Sequence, residues 1–295
     1  MYKEAIEDRN WFYIDNQRAM ISLGPLNSSR TCPYNCAFCY VQDGFIPYAK
    51  KSIEDILDFL VRHRKEYEII YVSGDTDSFA VPRKAIGISL LQQIAKEIDC
   101  DLLFTTRTTF SDDELIDIAK VVETLKMKKK ELFSCISITR YSETVGYLEP
   151  APIPSPNKRI EILRKLHNVG AVTVLALRPF LPVVPSNDYF TILQIAKDFV
   201  DIVLGEAFYF SRGGSIESRV FPRGIPSKVL DELKMGKMDF NSSQKDWAIW
   251  QSDLLESQIL EYCKKNNIIF AMRSGKAIAE YKAKSKLLED KSLIL

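Results

Sequence analysis

An α/β fold is predicted from three observations. Short apolar runs alternate with amphipathic stretches, those stretches carry helical spacing, and the pair recurs six times in series. Parallel strands need crossover connections, so six β-then-α units imply a parallel sheet with helices outside it. Each element has its own signal. Residues 19–24 read as the first strand and 51–65 as a helix, with Ser52 as its cap and Ile53, Ile56, Leu57 and Leu60 on one face. Residues 69–73 are a second strand, followed by a helix over 84–98. Residues 102–106 are a third strand. Ser111 and Glu114 then form a capping box ahead of Leu115, Ile118, Ala119 and Val122. Residues 132–138 are a fourth strand, 157–168 a helix closed by Gly170, and 171–178 a fifth strand. A helix over 187–199 and a sixth strand over 201–204 complete the series. The predicted architecture is a partial (β/α)6 TIM-like barrel with an N-terminal strand over residues 1–206, and a C-terminal helical extension over 207–295 that closes the substrate side. That extension holds a loop at Arg212-Gly213-Gly214, a long helix near 244–265, a short strand over 268–272 and a final helix. Its Lys-rich run from Lys276 reads as a solvated helix or a frayed end.

The chain has 295 residues and a mass of 33.8 kDa, enough to build a core without disulfide or metal staples. Its 46% hydrophobic and 27% charged composition excludes disorder, collagen and coiled coil as the main architecture. Lys+Arg number 40 and Asp+Glu 39, so there is no polybasic footprint, and a long nucleic-acid duplex is not favoured as a partner. No apolar run approaches the ~18 residues that span a membrane. The first ten residues are charged and lack the apolar stretch of a signal peptide, so a cytoplasmic location is expected. Six cysteines are too few for a disulfide scaffold in a chain of this size.

In parallel α/β folds, ligands collect at the C-terminal ends of the strands. Cys32, Cys36 and Cys39 sit in the loop after the first strand. Three thiolates on one tight loop suit a soft metal centre. A structural zinc site wants a fourth Cys or His, and His63 and His167 both read as helical and distant. Three cysteines without a fourth suit a four-iron cluster with one iron open to an outside ligand. Incidental buried cysteines are the plainer alternative, but those scatter, whereas this run is tight and flanked by Pro33.

The run Cys32-x-x-x-Cys36-x-x-Cys39, with Phe38 before its last Cys, resembles the signature loop of radical S-adenosylmethionine enzymes, and the resemblance covers the whole predicted barrel. It implies a [4Fe–4S] cluster on Cys32, Cys36 and Cys39, whose open iron chelates S-adenosylmethionine. It also implies one-electron cleavage to a 5′-deoxyadenosyl radical that abstracts hydrogen from a substrate. A reducing partner such as flavodoxin or ferredoxin goes with that chemistry. Phe38 and Tyr40 of the loop are cofactor-binding candidates. Ser73, Gly74, Asp75 and Asp77 follow the second strand, where the family holds the methionyl ammonium. Carboxylates and carbonyls are the acceptors for that cation, and a helix-capping Asp turn is the alternative. Ser137 and Thr139 would meet the ribose, and Arg159 and Arg178 would bring guanidinium groups, Arg159 as a fork for the carboxylate or else as an ordinary salt bridge.

The order of these segments, with Leu148-Glu149-Pro150 and the run from Arg178 to Pro182, is similar to the subgroup that includes spore photoproduct lyase and the relatives often labelled DNA repair photolyases. The lyases carry a hydrogen-donating Cys ahead of a Thr-Ser-Asp run, and Gly74 stands there in this chain. This argues against thymine-dimer repair by the same route. Period-two alternation places Cys135 on one face with Ser137 and Thr139, which makes Cys135 the candidate substitute donor, against a reading as a small core residue. Cys100 and Cys263 read as structural. Tyr209, Arg212, Arg219, Arg223 and Arg273 are candidates for an anionic substrate group. Trp247 and Trp250 read as core of the long helix. With one lone cysteine after Cys135, peptide-maturing enzymes with Cys-rich extensions are a poorer match. The expected function is a radical S-adenosylmethionine enzyme acting on a small anionic molecule or a nucleic-acid component. The alternative is a non-catalytic iron–sulfur or zinc-binding partner protein.

Overall fold

The structure is a computed structural model that describes residues 10–24, 32–43, 51–238 and 245–292. The charged N-terminal stretch up to residue 9 and Thr31 of the cysteine loop lie outside them. β1 (Trp11–Asp15) and β2 (Arg18–Ser22) form an antiparallel hairpin. Its two turn residues, Asn16 and Gln17, have φ of 48° and 60°, as a two-residue hairpin turn requires. The repeat follows: α1 (Ile53–Arg62), β3 (Ile69–Val72), α2 (Lys84–Glu97), β4 (Asp101–Thr106), α3 (Asp112–Met127), β5 (Leu132–Ser137), α4 (Pro156–Asn168), β6 (Val172–Ala176), α5 (Ser186–Ala196) and β7 (Ile202–Leu204). Next come β8 (Phe208–Phe210), α6 (Ser215–Val220), α7 (Ser227–Glu232), β9 (Lys234–Gly236), β10 (Trp247–Trp250), α8 (Asp253–Lys265), β11 (Ile269–Ala271) and α9 (Ser274–Ser292).

The main sheet runs β1-β2-β3-β4-β5-β6-β7-β11 and does not close on itself. From β2 to β11 every neighbouring pair is parallel, so the predicted six strands gain a seventh from the C-terminal region. The helix starts lie where their caps are. Ser52 and Ser111 each form a complete capping box, with Asp55 and Glu114 as the reciprocal partners. Gly170, at φ 83°, makes the left-handed exit from α4.

Strand residues alternate between two apolar layers even where every residue is buried. Ile70, Val72, Leu102, Phe104, Leu132 and Ile136 face the helices. Tyr71, Leu103, Phe133, Cys135 and Val174 face inward. The inward layer is covered by α9, through Ala277, Ile278 and Tyr281. Phe133 and Tyr281 meet edge-on at 5.6 Å, and Lys282 pairs with Asp101. The run from Lys276 is therefore an amphipathic helix with one face on the sheet, rather than a fully solvated or frayed one.

A second correction concerns residues 247–250. They are a strand, and the long helix begins only after its cap, Ser252, whose side chain accepts from the Leu255 amide. β10 pairs with both β8 and β9 in a small antiparallel sheet. The aromatic and branched residues Trp247, Ile249 and Trp250 favour a strand locally, and antiparallel pairing on both sides settles it. Trp247 packs with Tyr209 and Met238, whereas Trp250 lies on the opposite layer and donates to Glu232 at 2.7 Å. Among the described residues no helix is long and apolar enough to cross a membrane.

The seating of α9 is testable. A double-mutant cycle with Phe133→Leu and Tyr281→Leu, read by urea denaturation, is expected to give a coupling of about 0.5–1.5 kcal/mol. Zero coupling would mean that the helix does not rest on the sheet.

Candidate active site

The C-terminal ends of the parallel strands surround an open cavity of about 1170 Å³. Eleven of the fourteen predicted site residues line it: Cys32, Cys36, Phe38, Cys39, Tyr40, Ser73, Gly74, Asp75, Asp77, Ser137 and Arg178.

The cysteine loop is held from below and from the side. The Ala37 amide donates to the Leu148 carbonyl at 2.9 Å, the Cys39 amide to the Cys36 carbonyl at 3.2 Å, and Arg219 of α6 to the Cys36 carbonyl at 3.2 Å. Burial pushes the Cys36 thiol up to about 12 and raises Cys32 as well, so iron ligation must displace the protons. None of the six cysteines is in a disulfide. Among the described residues no three His, Cys, Asp or Glu side chains converge tightly enough to chelate one metal ion. All three cysteines face one cavity, and an iron–sulfur cube, in which each cysteine would take a different iron, fits that donor set.

Asp75 is held entirely by neutral donors. Trp11 and Tyr13 donate to Oδ2 at 3.3 and 3.1 Å, and Tyr40 donates to Oδ1 at 2.9 Å. Burial raises its carboxyl above the usual range, and the three donors only partly offset this. No Lys or Arg among the described residues pairs with it, so a ligand cation there would complete its electrostatics. Asp77 has a different role. It accepts from Thr106 Oγ1 at 2.8 Å, the Arg107 amide at 2.7 Å and the Phe79 amide at 3.0 Å, which ties the second strand's loop to the end of β4. Arg178 donates to the Tyr71 hydroxyl, which also bonds Thr105 Oγ1 at 2.8 Å.

Three expected site residues stand outside the cavity lining. Arg159 is 0% exposed, with its guanidinium on Glu149 and on the Ser137 carbonyl, so it cannot also bind a ligand carboxylate. Thr139 donates to the Arg178 carbonyl at 3.2 Å and is buried. Cys135 shares the inward face with Ser137, as period two requires, but lies one layer deeper and fully buried. A thiol that does not reach the cavity cannot hand hydrogen directly to a substrate there.

Gly74 also has a physical reason. A Cβ at this position would collide with the Met20 methyl, so any side chain here requires Met20 to swing aside. Of the expected anion ligands, Arg212 and the Gly213 amide are taken by Glu217, at 3.0 and 3.1 Å, Arg219 by the cysteine loop, and Arg223 is exposed.

Sequence reasoning missed Arg107, Tyr71 and Glu206, all of which line the cavity. Arg107 reaches Glu149 at 3.3 Å and lies 5.4 Å from the centroid of Phe38, within cation–π range. Arg107 and Glu206 each follow a parallel strand, the position that already flags function, so their signal was present.

A family model for the radical SAM superfamily matches residues 26–194. The chain belongs to the radical SAM superfamily. No curated protein sequence matches it. Solved structures share the superfamily fold. A variant of spore photoproduct lyase with AdoMet and a dinucleoside spore photoproduct bound superposes with a TM-score of 0.59 at 16% identity, covering 81% of this chain and 73% of that one. SuiB of Streptococcus suis, bound to its precursor peptide SuiA, superposes at 0.55 and 12% identity, covering 86% of this chain and 48% of that one. A second SuiB structure, with S-adenosylmethionine bound, gives 0.55 at 12% identity, covering 81% and 47%. As a radical SAM protein, the chain is an enzyme whose family implies a [4Fe–4S] cluster and S-adenosylmethionine.

The keystone of this radical SAM site is Glu149. Burial alone would raise its carboxyl, but the Arg159 guanidinium, with Arg107 and Arg140 around it, holds it below the usual carboxylate range. A depressed carboxylate stabilises the fold above its unfolded pKa of about 4.3, and this contribution is lost as pH falls through the lower folded value. Glu149→Gln leaves buried Arg159 uncompensated and is expected to cost about 3–5 kcal/mol in urea denaturation at neutral pH. It should also flatten the loss of stability between about pH 5 and about pH 3. An unchanged acid profile would remove Glu149 from this role.

Proposed function

We propose that this chain cleaves S-adenosylmethionine reductively at a [4Fe–4S] cluster on Cys32, Cys36 and Cys39 and removes hydrogen from a small anionic substrate. The observation that carries the reading is the opening of these three cysteines into one cavity with Asp75, Ser137 and Arg178. When bound, the cluster supplies the electron that splits the sulfonium and releases the 5′-deoxyadenosyl radical. The remaining work falls to the chain's own residues. Asp75, a buried carboxylate without a cationic partner, is the acceptor for the methionyl ammonium. Arg178 replaces Arg159 as the fork for the carboxylate, since it faces the cavity. Ser137 meets the ribose. Phe38, buried under Arg107, and Tyr40, bound to Asp75, keep water from the cluster side of the cavity.

A small anion is favoured over a nucleic-acid component because the net charge is +1. Gly74 with Met20 packed against it is unlike the hydrogen-donor cysteine of the lyases, so repair of thymine dimers by their route is not proposed. Flavodoxin or ferredoxin is the reductant that the chemistry calls for, in a reducing cytoplasmic compartment that keeps the thiols available.

Anaerobic reconstitution with iron and sulfide, followed by dithionite and S-adenosylmethionine, is expected to yield 5′-deoxyadenosine. The Cys32→Ala, Cys36→Ala, Cys39→Ala triple variant should lose both iron and product. An intact cluster that yields no 5′-deoxyadenosine would instead mean a non-catalytic iron–sulfur protein. Asp75→Asn is expected to weaken S-adenosylmethionine binding by about tenfold to a hundredfold, measured by calorimetry on the reconstituted protein.

A further inference from the structure

Beneath the cysteine loop the buried charges do not balance. Glu149 is fully buried, and three guanidinium groups share its one carboxylate: Arg159 on Oε2, Arg107 at 3.3 Å and Arg140 at 3.8 Å. Asp77 is the other buried carboxylate here, and it accepts the Arg107 amide at 2.7 Å. Glu143 reaches Arg140 at 3.6 Å from the exposed rim, where water screens it. Three largely buried cations therefore face two buried carboxylates, and Arg219 brings a fourth guanidinium to the Cys36 carbonyl. Buried positive charge in excess is costly unless an anion completes it. Arg107 is the member that faces the cysteines. It lines the cluster cavity with Cys32, Cys36 and Cys39. Its Nε is taken by Glu149, while its two terminal NH2 groups have no hydrogen-bond partner among the described residues. Its guanidinium carbon lies 5.4 Å from the ring centroid of Phe38, the residue before Cys39. Burial opposes its charge, and Cys36 supports that charge most, ahead of Glu149, Asp77 and Cys39.

We infer that Arg107, backed by Arg140 and Arg159, is the counter-charge of the iron–sulfur cluster and stabilises its reduced form. The inference rests on the cluster proposed above for Cys32, Cys36 and Cys39. A cube held by three thiolates is anionic, and reduction adds one more negative charge to it. A fixed guanidinium beside the thiolates favours the more negative state, which raises the reduction potential. One electron leaves the reduced flavodoxin or ferredoxin and enters the cluster, and Arg107 neither gains nor loses a proton, because a guanidinium stays charged. Glu149 is then a positioning residue. Its carboxylate fixes the Nε side of Arg107 and leaves the terminal NH2 groups turned to the cavity side. Because three guanidinium groups share that one carboxylate, it cancels their charge only in part.

The test uses the reconstituted full-length protein, with iron content measured, and a redox titration followed by electron paramagnetic resonance without S-adenosylmethionine. Arg107→Gln is expected to disfavour reduction by about tenfold, which lowers the potential by about 59 mV for one electron. Arg107→Lys keeps the charge and should restore most of the loss. Lys130→Gln removes a cation ahead of β5, at the end of the sheet away from the cavity, and should leave the potential where it is. An Arg107→Gln protein with wild-type iron and wild-type potential would overturn the inference. So would an Arg107→Lys protein shifted as far as Arg107→Gln, since that marks the shape of the side chain and not its charge. If Arg107→Gln takes up no iron, Arg140→Gln decides: a lowered potential supports the counter-charge and an unchanged one refutes it. Calorimetry with S-adenosylmethionine separates a cofactor role, because weaker binding at an unchanged potential gives Arg107 to the methionyl carboxylate instead. Wild-type protein that takes up iron without a [4Fe–4S] signal would sink the cluster reading and this inference with it. A shifted potential without 5′-deoxyadenosine would sink the radical reading alone.

Discussion

A carboxylate with no access to water joins the strand ends of this protein to its cysteine loop. Glu149 is gripped by Arg159, which also reaches the carbonyl of Ser137 at the end of β5. Arg107, at the end of β4, reaches the same carboxylate and lies over Phe38. One residue earlier, the Leu148 carbonyl takes the Ala37 amide between two of the cysteines. Two strands and the cysteine loop are thus positioned by one buried charge cluster. Each guanidinium is tolerated there because the others do not leave the carboxylate alone, and removing one member would leave a buried ion unmatched.

The cavity above this cluster sorts its charges by function. Asp77 faces backbone amides and a threonine, and so fixes loop geometry. Asp75 faces two tyrosines and a tryptophan, with no Lys or Arg among the described residues paired to it. Both carboxyls are raised by burial, and only Asp77 is tied to backbone amides.

Much of the fold was legible because βα periodicity is local. Capping at Ser52 and Ser111, the left-handed exit at Gly170 and the parallel strands all lie close to where pattern places them. The antiparallel pairing of β1 with β2 was not read, since its turn uses Asn16-Gln17 instead of a glycine pair. The strand at Trp247–Trp250 was read as helix because two tryptophans three apart also fit a helical face. Arg159 is the instructive site error. An arginine near a strand end looks like a ligand for carboxylate, and only the position of Glu149 shows that its partner is internal.

The sequence by itself determined the layered α/β architecture, the family signature at Cys32, Cys36 and Cys39, and the chemistry available in the loops after each strand, because these depend on spacing along the chain. Tertiary structure decided which guanidinium faces the cavity and which a carboxylate, that Cys135 lies below the cavity, and that the last helix returns to cover the inner face of an open sheet. Those outcomes depend on contacts between residues far apart in sequence, where burial and charge pairing are set jointly, and no local pattern carries that information.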